Sequence, residues 1–298
     1  MKILFDKILN TKKIKSYKES EFEKILYRTN IDKIFRSFSN YSSKCEIRYV
    51  GGCVRKILNY EEVDDIDLAT NVTPTEVQTI LEKNNIKYYN TGLKHGTITA
   101  SIENNIFEIT SLRKDIATDG RYAEVQFTND WFIDASRRDF SINSIYADLD
   151  GNLYDPFNGK KDLKNGVIKF IGDPNKRIQE DYLRILRYIR FFSIYSEVSH
   201  ENEVIKSIKN NLAGIKKVSK DRLVNELKKL FLTNKFTNLA KDDFSVEILN
   251  LIFPELKNIS ILENLNEDAL EIINKKDFIF FLSLLVIDGS DNAEYFLY

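Results

Sequence analysis

The hydrophobic pattern of the chain changes once, close to Pro174, and this change restricts the possible folds more than any other feature. Before Pro174, short alternating apolar runs typical of strands are interspersed with helical segments. Beyond it, successive apolar runs have helical spacing: ILRYIRFF, KSIKNNLAGI, DRLVNELKKLFL and VEILNLIF. We therefore predict an α+β chain with a mixed sheet in its first part and only helices afterwards. The 298 residues are enough for two domains, with a boundary near residue 174.

Charge is balanced over the whole chain but not along it. The chain has 44 Lys and Arg against 45 Asp and Glu, so its net charge indicates no partner. Residues 160–190, however, hold nine basic against four acidic residues, whereas residues 251–298 hold three against nine. A polyanion is therefore expected to contact the middle of the chain rather than its end.

The two cysteines, Cys45 and Cys53, form no CxxC motif, and the sequence has no histidine cluster. The sequence therefore gives no support for a disulfide framework or a structural zinc site, and reduced intracellular thiols are expected. No stretch approaches the roughly 18 to 20 apolar residues of a membrane span, so no membrane partner is predicted. We expect a soluble protein of the cytoplasm, with an organelle as the alternative. The sequence predicts no oligomeric state.

Before Pro174 the order of elements is a strand, a glycine turn, a helix and another strand. CEIRYV favours the first strand, VRKIL a short helix after Gly51-Gly52, and DIDLA the second strand. A helix is expected to start at Thr73-Pro74, with Thr73 as its N-cap. GTITASI and IFEITSL then predict a hairpin beside the DIDLA strand. Two further helices are predicted, over residues 16–38 and 130–147.

Asp65 and Asp67 are two residues apart in the predicted DIDLA strand. Alternate residues of a strand project from the same face, so these carboxylates would lie side by side while Asp64 points the other way. This arrangement suits magnesium, which binds one or two carboxylates and completes its coordination with water and phosphate oxygens. Acidic strands on a solvated face share this pattern, so the pair alone does not identify a metal site.

Gly51-Gly52 precedes the short predicted helix and would let backbone N–H groups approach a phosphate closely. Arg55 follows three residues later and could add a charge-assisted hydrogen bond to the same phosphate. The alternative is a tight turn that needs two flexible residues. Neither GxxxxGK[ST] nor GxGxxG occurs at this position, so the glycines match no standard nucleotide-binding motif.

Together, GGCVR and DIDLAT resemble the head-domain signature of the nucleotidyltransferases related to DNA polymerase beta. The resemblance is to the class that contains bacterial and mitochondrial CCA-adding enzymes and bacterial poly(A) polymerases. Four more elements of that class follow in the right order: SRRDFSINSIY, DPFNGKKDLKNGVIKFIGDP, RIQEDYLRILRYIRF and KDRLVNELKKL. The chain departs from the class pattern at Lys56, commonly Asp, at Asn59, commonly Gly, and at Ser141, commonly Thr.

The resemblance implies a nucleotidyltransferase head followed by an all-helical neck and body. The predicted divisions are an N-terminal helical segment at 1–44, the head at 45–174, a neck with the nucleotide-selecting helix at 175–235 and a short RNA-binding body at 236–298.

In the reaction that the resemblance implies, a primer 3′-hydroxyl attacks the α-phosphate of a nucleoside triphosphate and pyrophosphate leaves. Two Mg²⁺ ions held by Asp65 and Asp67 would activate the hydroxyl and neutralise charge on the leaving oxygens. Glu108, in IFEITSL, would orient the hydroxyl or share a metal ion. An exposed strand acid explains Glu108 equally well.

The resemblance places Gly51, Gly52 and Arg55 at the nucleotide, and Arg138, Asp139 and Asn143 at its triphosphate and ribose. Asp139 would accept the ribose 2′-hydroxyl, which favours ribonucleotides. An arginine–aspartate pair that only fixes a helix is the structural alternative.

Base selection is expected at EDYLRILRYIR. Asp181, Arg184, Arg187 and Arg190 recur every three residues, which predicts one ridge of a helix. A carboxylate and a guanidinium can copy the pairing edge of a base, and the resemblance implies that Asp181 and Arg184 select CTP and then ATP without a template. Arg187 and Arg190 would meet triphosphate or RNA phosphate. A solvated basic helix face is the alternative for all four residues.

The leading prediction is an enzyme that adds CCA to tRNA 3′ ends, transferring CMP and AMP from CTP and ATP with release of pyrophosphate. Residues 111–127 resemble the flexible loop of the family, whose shortening accompanies CC addition alone, so an intact loop favours addition of all three nucleotides. The alternatives are a poly(A) polymerase, a partial CC- or A-adding enzyme, and a degenerate RNA-binding protein without catalysis.

Overall fold

The computed structural model describes residues 21–119, 122–233, 235–266, 268–269, 273 and 277–286. The chain divides into two compact units. The first extends to Asn165 and also contains Lys169–Gly172, whereas the second contains Gly166–Ile168 and the residues from Asp173 onward. Residues 1–20 of the predicted N-terminal segment lie outside the described residues. The finer division into four parts stays a prediction.

A mixed seven-stranded sheet runs through the first unit. Its strands are β1 (Ile47–Val50), β2 (Asp67–Thr70), β3 (Lys87–Gly92), β4 (Thr97–Ile102), β5 (Asn105–Ser111), β8 (Tyr146–Ala147) and β9 (Leu153–Tyr154). Their order is β3-β4-β5-β2-β1-β8-β9. The β2–β5 pair is parallel and its neighbours are antiparallel. A separate antiparallel hairpin consists of β6 (Arg113–Asp119) and β7 (Tyr122–Phe127). The predicted mixed sheet is therefore confirmed.

Helices cover the sheet of the first unit and bury its main core. They comprise residues 21–29 (α1), Asp32–Tyr41 (α2), Gly52–Leu58 (α3), Pro74–Lys83 (α4), Trp131–Ser136 (α5) and Gly159–Lys164 (α6). Apolar side chains of α1 and α2 share one buried cluster with those of the strands, including Phe22, Ile34, Phe38, Tyr49, Leu68 and Phe107. Cys45 and Cys53 lie in the same cluster, and both are free thiols. The N-terminal helices thus belong to the core of the sheet.

The predicted single helix over residues 16–38 is wrong, because the described part is broken at Asn30. Its backbone adopts a left-handed conformation with φ 52°, which asparagine tolerates better than most residues. The Thr29 hydroxyl donates to the Ile25 carbonyl over 2.5 Å, and the Asn30 amide donates to Glu103 over 2.9 Å. These bonds fix the break, and α2 starts two residues later.

The hairpin and the helix at Thr73-Pro74 are confirmed. Thr73 and Glu76 form a reciprocal capping box at the start of α4, and Pro74 is its first residue. Strands β4 and β5 pair from Thr97 to Ser111 around a tight turn in which Glu103 has φ 53°. Strand β5 lies beside β2, as predicted.

The predicted helix over residues 130–147 is wrong beyond Ser136. Asp130 caps α5, but the chain then turns, and Phe140 forms a bridge with Phe170 before a 3-10 turn at Ser141–Asn143. The carboxylate of Asp139 accepts the amide hydrogen of Phe140 over 2.8 Å, an amide that a continuous helix would have used. The segment ends in strand β8 rather than in a helix.

Over the described residues, the regular secondary structure of the second unit is entirely helical. Its helices are α7 (Pro174–Glu180), α8 (Arg184–Tyr195), α9 (Asn202–Asn211), α10 (Lys220–Phe231), α11 (Asp243–Ile252) and α12 (Phe278–Val286). A partly buried hydrogen-bond chain joins α8 to the N-cap of α11: the Tyr188 hydroxyl contacts His200 Nδ1 over 2.9 Å, and His200 Nε2 contacts Asp242 over 2.8 Å. None of the helices in the described ranges is long and apolar enough to cross a bilayer.

Candidate active site

Asp67 and Glu108 lie side by side on neighbouring strands. They are register partners in the parallel β2–β5 pair, which places their side chains on the same face of the sheet. Burial raises the pKa of Asp67, and the negative charges of Glu108 and Asp65 raise it further, against the opposing charges of Arg138 and Arg55. The three carboxylates therefore repel one another at neutral pH.

Asp65 precedes strand β2 rather than belonging to it. The predicted strand over DIDLA therefore starts two residues too early. The pairing of β2 with β1 begins at Leu68, opposite Tyr49. Beyond Val50 the chain turns at Gly51, so the residues before Asp67 find no partner on β1. Asp65 is exposed, whereas Asp67 is half-buried.

The side chains of Asp65 and Asp67 form no ion pair or hydrogen bond with the residues that the structure describes. Two carboxylates that repel each other and lack a protein partner fit a divalent cation, whose charge would remove the repulsion. Within the described ranges, no group of three or more His, Cys, Asp or Glu side chains is arranged to hold a metal ion. The two aspartates would therefore need water or phosphate oxygens to complete the coordination.

The glycine turn has a backbone that only glycine adopts readily. Gly51 has φ 68° and ψ −118° and precedes α3. A Cβ atom at Gly51 would lie 3.5 Å from Nη1 of Arg138, and one at Gly52 would lie 4.0 Å from Nη2 of Arg55. Two guanidinium groups therefore lie close to this turn, as an anion-binding site requires.

Arg55, Asn143 and Asp139 form a buried chain of hydrogen bonds. A guanidinium N–H of Arg55 donates to Asn143 Oδ1, and Asn143 Nδ2 donates to Asp139 Oδ1 over 2.9 Å. Each of the three residues is at most 7% exposed. The predicted cluster is thus brought together by the fold, although a 3-10 turn rather than an α-helix joins its members.

Asp134 is a supporting residue that the sequence analysis missed. Its Oδ2 atom accepts hydrogen bonds from Arg138 Nη2 over 3.1 Å and from the Tyr146 hydroxyl over 2.7 Å, and its Oδ1 atom accepts one from Arg137 over 2.8 Å. Burial alone would raise the pKa of Asp134, but the charges of Arg138 and Arg137 and the Tyr146 bond hold it well below its usual range. The spacing of Asp134 three and four residues before two arginines was the available signal.

In the second unit, the predicted ridge of four side chains is wrong, because Asp181 lies outside the helix. Asp181 ends α7 in an extended conformation with φ −155°, and α8 begins at Arg184. Its carboxylate accepts a hydrogen bond from Arg222 Nη2 over 2.7 Å and one from the Leu183 amide over 3.2 Å. The Asp181 carboxylate can accept these two bonds because Asp181 lies in the break between α7 and α8.

The arginines of α8 contact protein groups. Arg184 Nη1 donates to Glu180 and to the Arg177 carbonyl, each over 2.6 Å. Arg190 donates to the buried carboxylate of Glu226 over 2.5 Å. The guanidinium of Arg187 lies 5.5 Å from the ring centroid of Phe191. Helix α10, which provides Arg222 and Glu226, therefore contacts both Asp181 and α8.

Two family models match the chain. The "Poly A polymerase head domain" covers residues 47–169, and the "Probable RNA and SrmB- binding site of polymerase A" covers residues 199–260. The first therefore contains the glycine turn and the three carboxylates, and the second contains α10 and α11.

Relatives with known names also match. The chain is 47% identical over 206 residues to human "CCA tRNA nucleotidyltransferase 1, mitochondrial", which is 68% of this chain and 48% of that protein. It is 37% identical over 200 residues to the "CCA-adding enzyme" of Staphylococcus epidermidis, which is 66% of this chain and 48% of that protein. The matched region thus spans about half the length of these curated relatives.

Solved structures share the fold. The structure described as "CCA-adding enzyme apo form II" matches with a TM-score of 0.69 and 20% identity over 92% of this chain and 68% of that one. A tRNA nucleotidyltransferase complexed with a primer tRNA and an ATP analogue matches with a TM-score of 0.65 and 24% identity over 86% and 76%. The sequence and fold together show that this chain belongs to the family of CCA-adding tRNA nucleotidyltransferases and bacterial poly(A) polymerases, which are metal-dependent nucleotidyltransferases.

Proposed function

We propose that this protein adds CCA to the 3′ ends of tRNA, transferring CMP and AMP from CTP and ATP and releasing pyrophosphate. One observation carries the proposal: among the described residues, the Asp65 and Asp67 carboxylates have no hydrogen-bond or ion-pair partner, although the charges of Arg138 and Arg55 act on Asp67. A triphosphate bound with a divalent cation brings charges of both signs, which match the arginines and the carboxylates respectively.

Asp65 and Asp67 would hold the metal ion, and Mg²⁺ is the ion that we propose, since it binds carboxylate, water and phosphate oxygens. The bound ion would lower the pKa of the primer hydroxyl and neutralise charge on the leaving phosphate oxygens. Glu108, the register partner of Asp67, would orient that hydroxyl or share a metal ion.

The other residues of the first unit would position the nucleotide. The backbone of Gly51 and Gly52, with the guanidinium groups of Arg55 and Arg138, would bind the triphosphate. Asp139 and Asn143 would face the ribose, and the buried bond between them fixes their relative orientation. This arrangement would favour ribonucleotides, because a carboxylate oxygen accepts a hydrogen bond from the 2′-hydroxyl.

Base selection would belong to Asp181 and Arg184. The acceptors of Asp181 and the donors of Arg184 can each meet the complementary edge of a base. Arg222 and Glu180 hold these two side chains, so a base would have to replace protein partners. Arg187 and Arg190 would meet triphosphate or RNA phosphate.

The RNA partner that we propose is tRNA, and the match of residues 199–260 to an RNA-binding model supports an RNA-binding role for the second unit. The β6–β7 hairpin spans the predicted flexible loop and supports addition of all three nucleotides. Poly(A) synthesis is the second candidate, since both matched models carry the name of polymerase A. A cytoplasmic or organellar location stays a prediction.

Single-nucleotide analysis of the products tests the proposal. The protein is incubated with Mg²⁺ and a tRNA that ends before CCA, with CTP, ATP or both. Addition of two C residues and one A, followed by arrest, is the expected result. A long A ladder would establish poly(A) polymerase instead, and no extension at any nucleotide concentration would contradict both activities.

A further inference from the structure

Asp65 lacks the support that a strand gives to Asp67. The segment 61–66 has no regular secondary structure and leads directly into strand β2. Val63 and Ile66 anchor it in the core, being 4% and 7% exposed, but Asp64 and Asp65 point toward solvent. Some other contact must therefore fix the backbone that carries the Asp65 carboxylate.

Arg28, on α1, provides one such contact. Its Nη2 atom donates a hydrogen bond to the carbonyl oxygen of Val63 over 2.8 Å, although the two residues are 35 positions apart in the chain. A charged donor to a backbone carbonyl is among the stronger hydrogen bonds in proteins. Helix α1 is itself anchored through Phe22 and Ile25, which are 2% exposed. The hydrogen bond thus connects the segment 61–66, which carries Asp65, to the core.

Lys56, on α3, provides the second contact. Its ammonium group forms an ion pair with Oδ1 of Asp64, and the same oxygen accepts the amide hydrogen of Asp65 over 3.1 Å. One carboxylate oxygen therefore connects Lys56 to the backbone of Asp65. Lys56 also neutralises the charge of Asp64, which reduces the repulsion between the carboxylates of Asp64 and Asp65.

We infer that Arg28 and Lys56 are positioning residues that hold the Asp65 carboxylate in the geometry in which it binds the divalent cation. This inference depends on the proposed function, in which Asp65 is a metal ligand. Residues that orient a metal ligand from outside the coordination sphere commonly change metal affinity about 10- to 100-fold when they are removed. Lys56 thereby acquires a specific role at a position where the family commonly has aspartate.

Metal binding in the absence of turnover tests this inference. Binding of Mn²⁺ is measured by electron paramagnetic resonance on the full chain, in the presence of a CTP analogue with a non-cleavable α–β bridge. We expect the double variant Arg28→Gln, Lys56→Gln to bind Mn²⁺ about tenfold more weakly. The conservative pair Arg28→Lys, Lys56→Arg should recover most of the affinity, because it retains both charges.

Matched controls separate position from net charge. Lys33→Gln and Arg36→Gln remove the same two charges from exposed positions of α2 and should leave Mn²⁺ affinity unchanged. Thermal unfolding of all variants should shift only slightly, since Arg28 is exposed and the Lys56 side chain is only partly buried.

Asp65→Asn distinguishes failure of this inference from failure of the proposed function. If Asp65→Asn weakens Mn²⁺ binding while the double variant binds within twofold of the wild type, the positioning roles are refuted and the metal site stands. If Asp65→Asn itself binds Mn²⁺ normally, Asp65 is not a ligand, and both the metal assignment and this inference are overturned.

Discussion

Asp67 in the first unit and Asp181 in the second unit are both acidic residues of a proposed substrate site, but their surroundings differ. Burial raises the pKa of Asp67, and the negative charges of Glu108 and Asp65 raise it further. Asp181 accepts a hydrogen bond from Arg222 at 2.7 Å, and the neighbouring Arg184 is paired with Glu180. Burial and carboxylate repulsion together outweigh the opposing charges of Arg138 and Arg55 at Asp67, whereas Asp181 and Arg184 are each paired with an oppositely charged side chain.

This difference bears on how each site responds to its ligand. A cation that binds beside Asp67 would relieve the repulsion among the carboxylates. This repulsion therefore favours cation binding. A base that binds Asp181 would have to displace Arg222. The net binding free energy would then be only the difference between the base–Asp181 and Arg222–Asp181 hydrogen bonds, which are similar in strength. Such an exchange favours discrimination, because a base with the wrong edge leaves the displaced groups without a partner.

The largest expected effect comes from the carboxylates. We expect Asp67→Asn to lower the rate of CMP transfer about a thousandfold, since a catalytic metal contributes several kcal/mol to transition-state stabilisation. Product length at single-nucleotide resolution, followed over time, measures the rate. Asp150→Asn, at an exposed position, is the control and should retain the wild-type rate. Retention of more than a tenth of the activity in Asp67→Asn would contradict the proposed site.

A large effect on stability is expected in the second unit. Glu226 is 3% exposed and receives a hydrogen bond from Arg190 over 2.5 Å. Glu226→Ala leaves the Arg190 charge without this partner and should lower the free energy of unfolding by about 3 kcal/mol. Urea denaturation measures the change, with Asp221→Ala on the same helix as an exposed control. Loss of less than about 1 kcal/mol would show that the pair is not structurally important.

A smaller effect is expected when the partner of Asp181 is removed. Arg222→Ala should change stability by less than about 1 kcal/mol, because both side chains of this pair are partly exposed. It should nevertheless reduce the preference for CTP over UTP about tenfold, which corresponds to about 1.4 kcal/mol of differential binding. Ratios of kcat/KM for the two nucleotides measure this, with Lys229→Ala as the control. An unchanged kcat/KM ratio would show that Arg222 takes no part in base selection.

The smallest expected effect is the pH dependence of stability. The folded-state pKa of Asp67 is raised, so its protonated form stabilises the fold, and that contribution is lost as pH rises through the folded pKa. Asp67→Asn cannot ionise, so the variant should become more stable than the wild type above that pKa. Urea denaturation from pH 4 to pH 7 in the absence of divalent cations measures the difference. If the free energy of unfolding of the wild type instead rose relative to that of the variant with increasing pH, the proposed direction of the effect would be wrong.

Local sequence signals predicted those elements whose ends are set by neighbouring residues. Thr73, Pro74 and Glu76 specify the start of α4 within four positions, and the capping box forms as expected. The β4–β5 hairpin likewise needs only alternation and a short turn. The helix predicted over residues 130–147 was wrong because hydrophobic periodicity cannot show that Asp139 withdraws the Phe140 amide from helical bonding.

The site was predictable in part for the same reason. Asp65, Asp67 and the glycine turn belong to one short motif, and the parallel β2–β5 pairing brings Glu108 beside them. Contacts between distant segments gave no such signal. Arg28 on α1 reaches Val63 across 35 residues, and Lys56 on α3 pairs with Asp64 in the irregular segment that follows the helix. Long-range pairs of this kind depend on tertiary structure, which a single sequence does not encode in its local pattern.

Cys53 directly follows Gly52 in the chain, and its thiol donates to the carbonyl oxygens of Val50 at 3.3 Å and Asp67 at 3.7 Å. Burial raises its pKa to about 11, so the unreactive thiol form predominates at neutral pH. Alkylating reagents should therefore modify Cys53 only while this part of the first unit is open. The rate of alkylation would act as a built-in reporter of local opening beside the proposed catalytic carboxylates, and nucleotide binding should slow it.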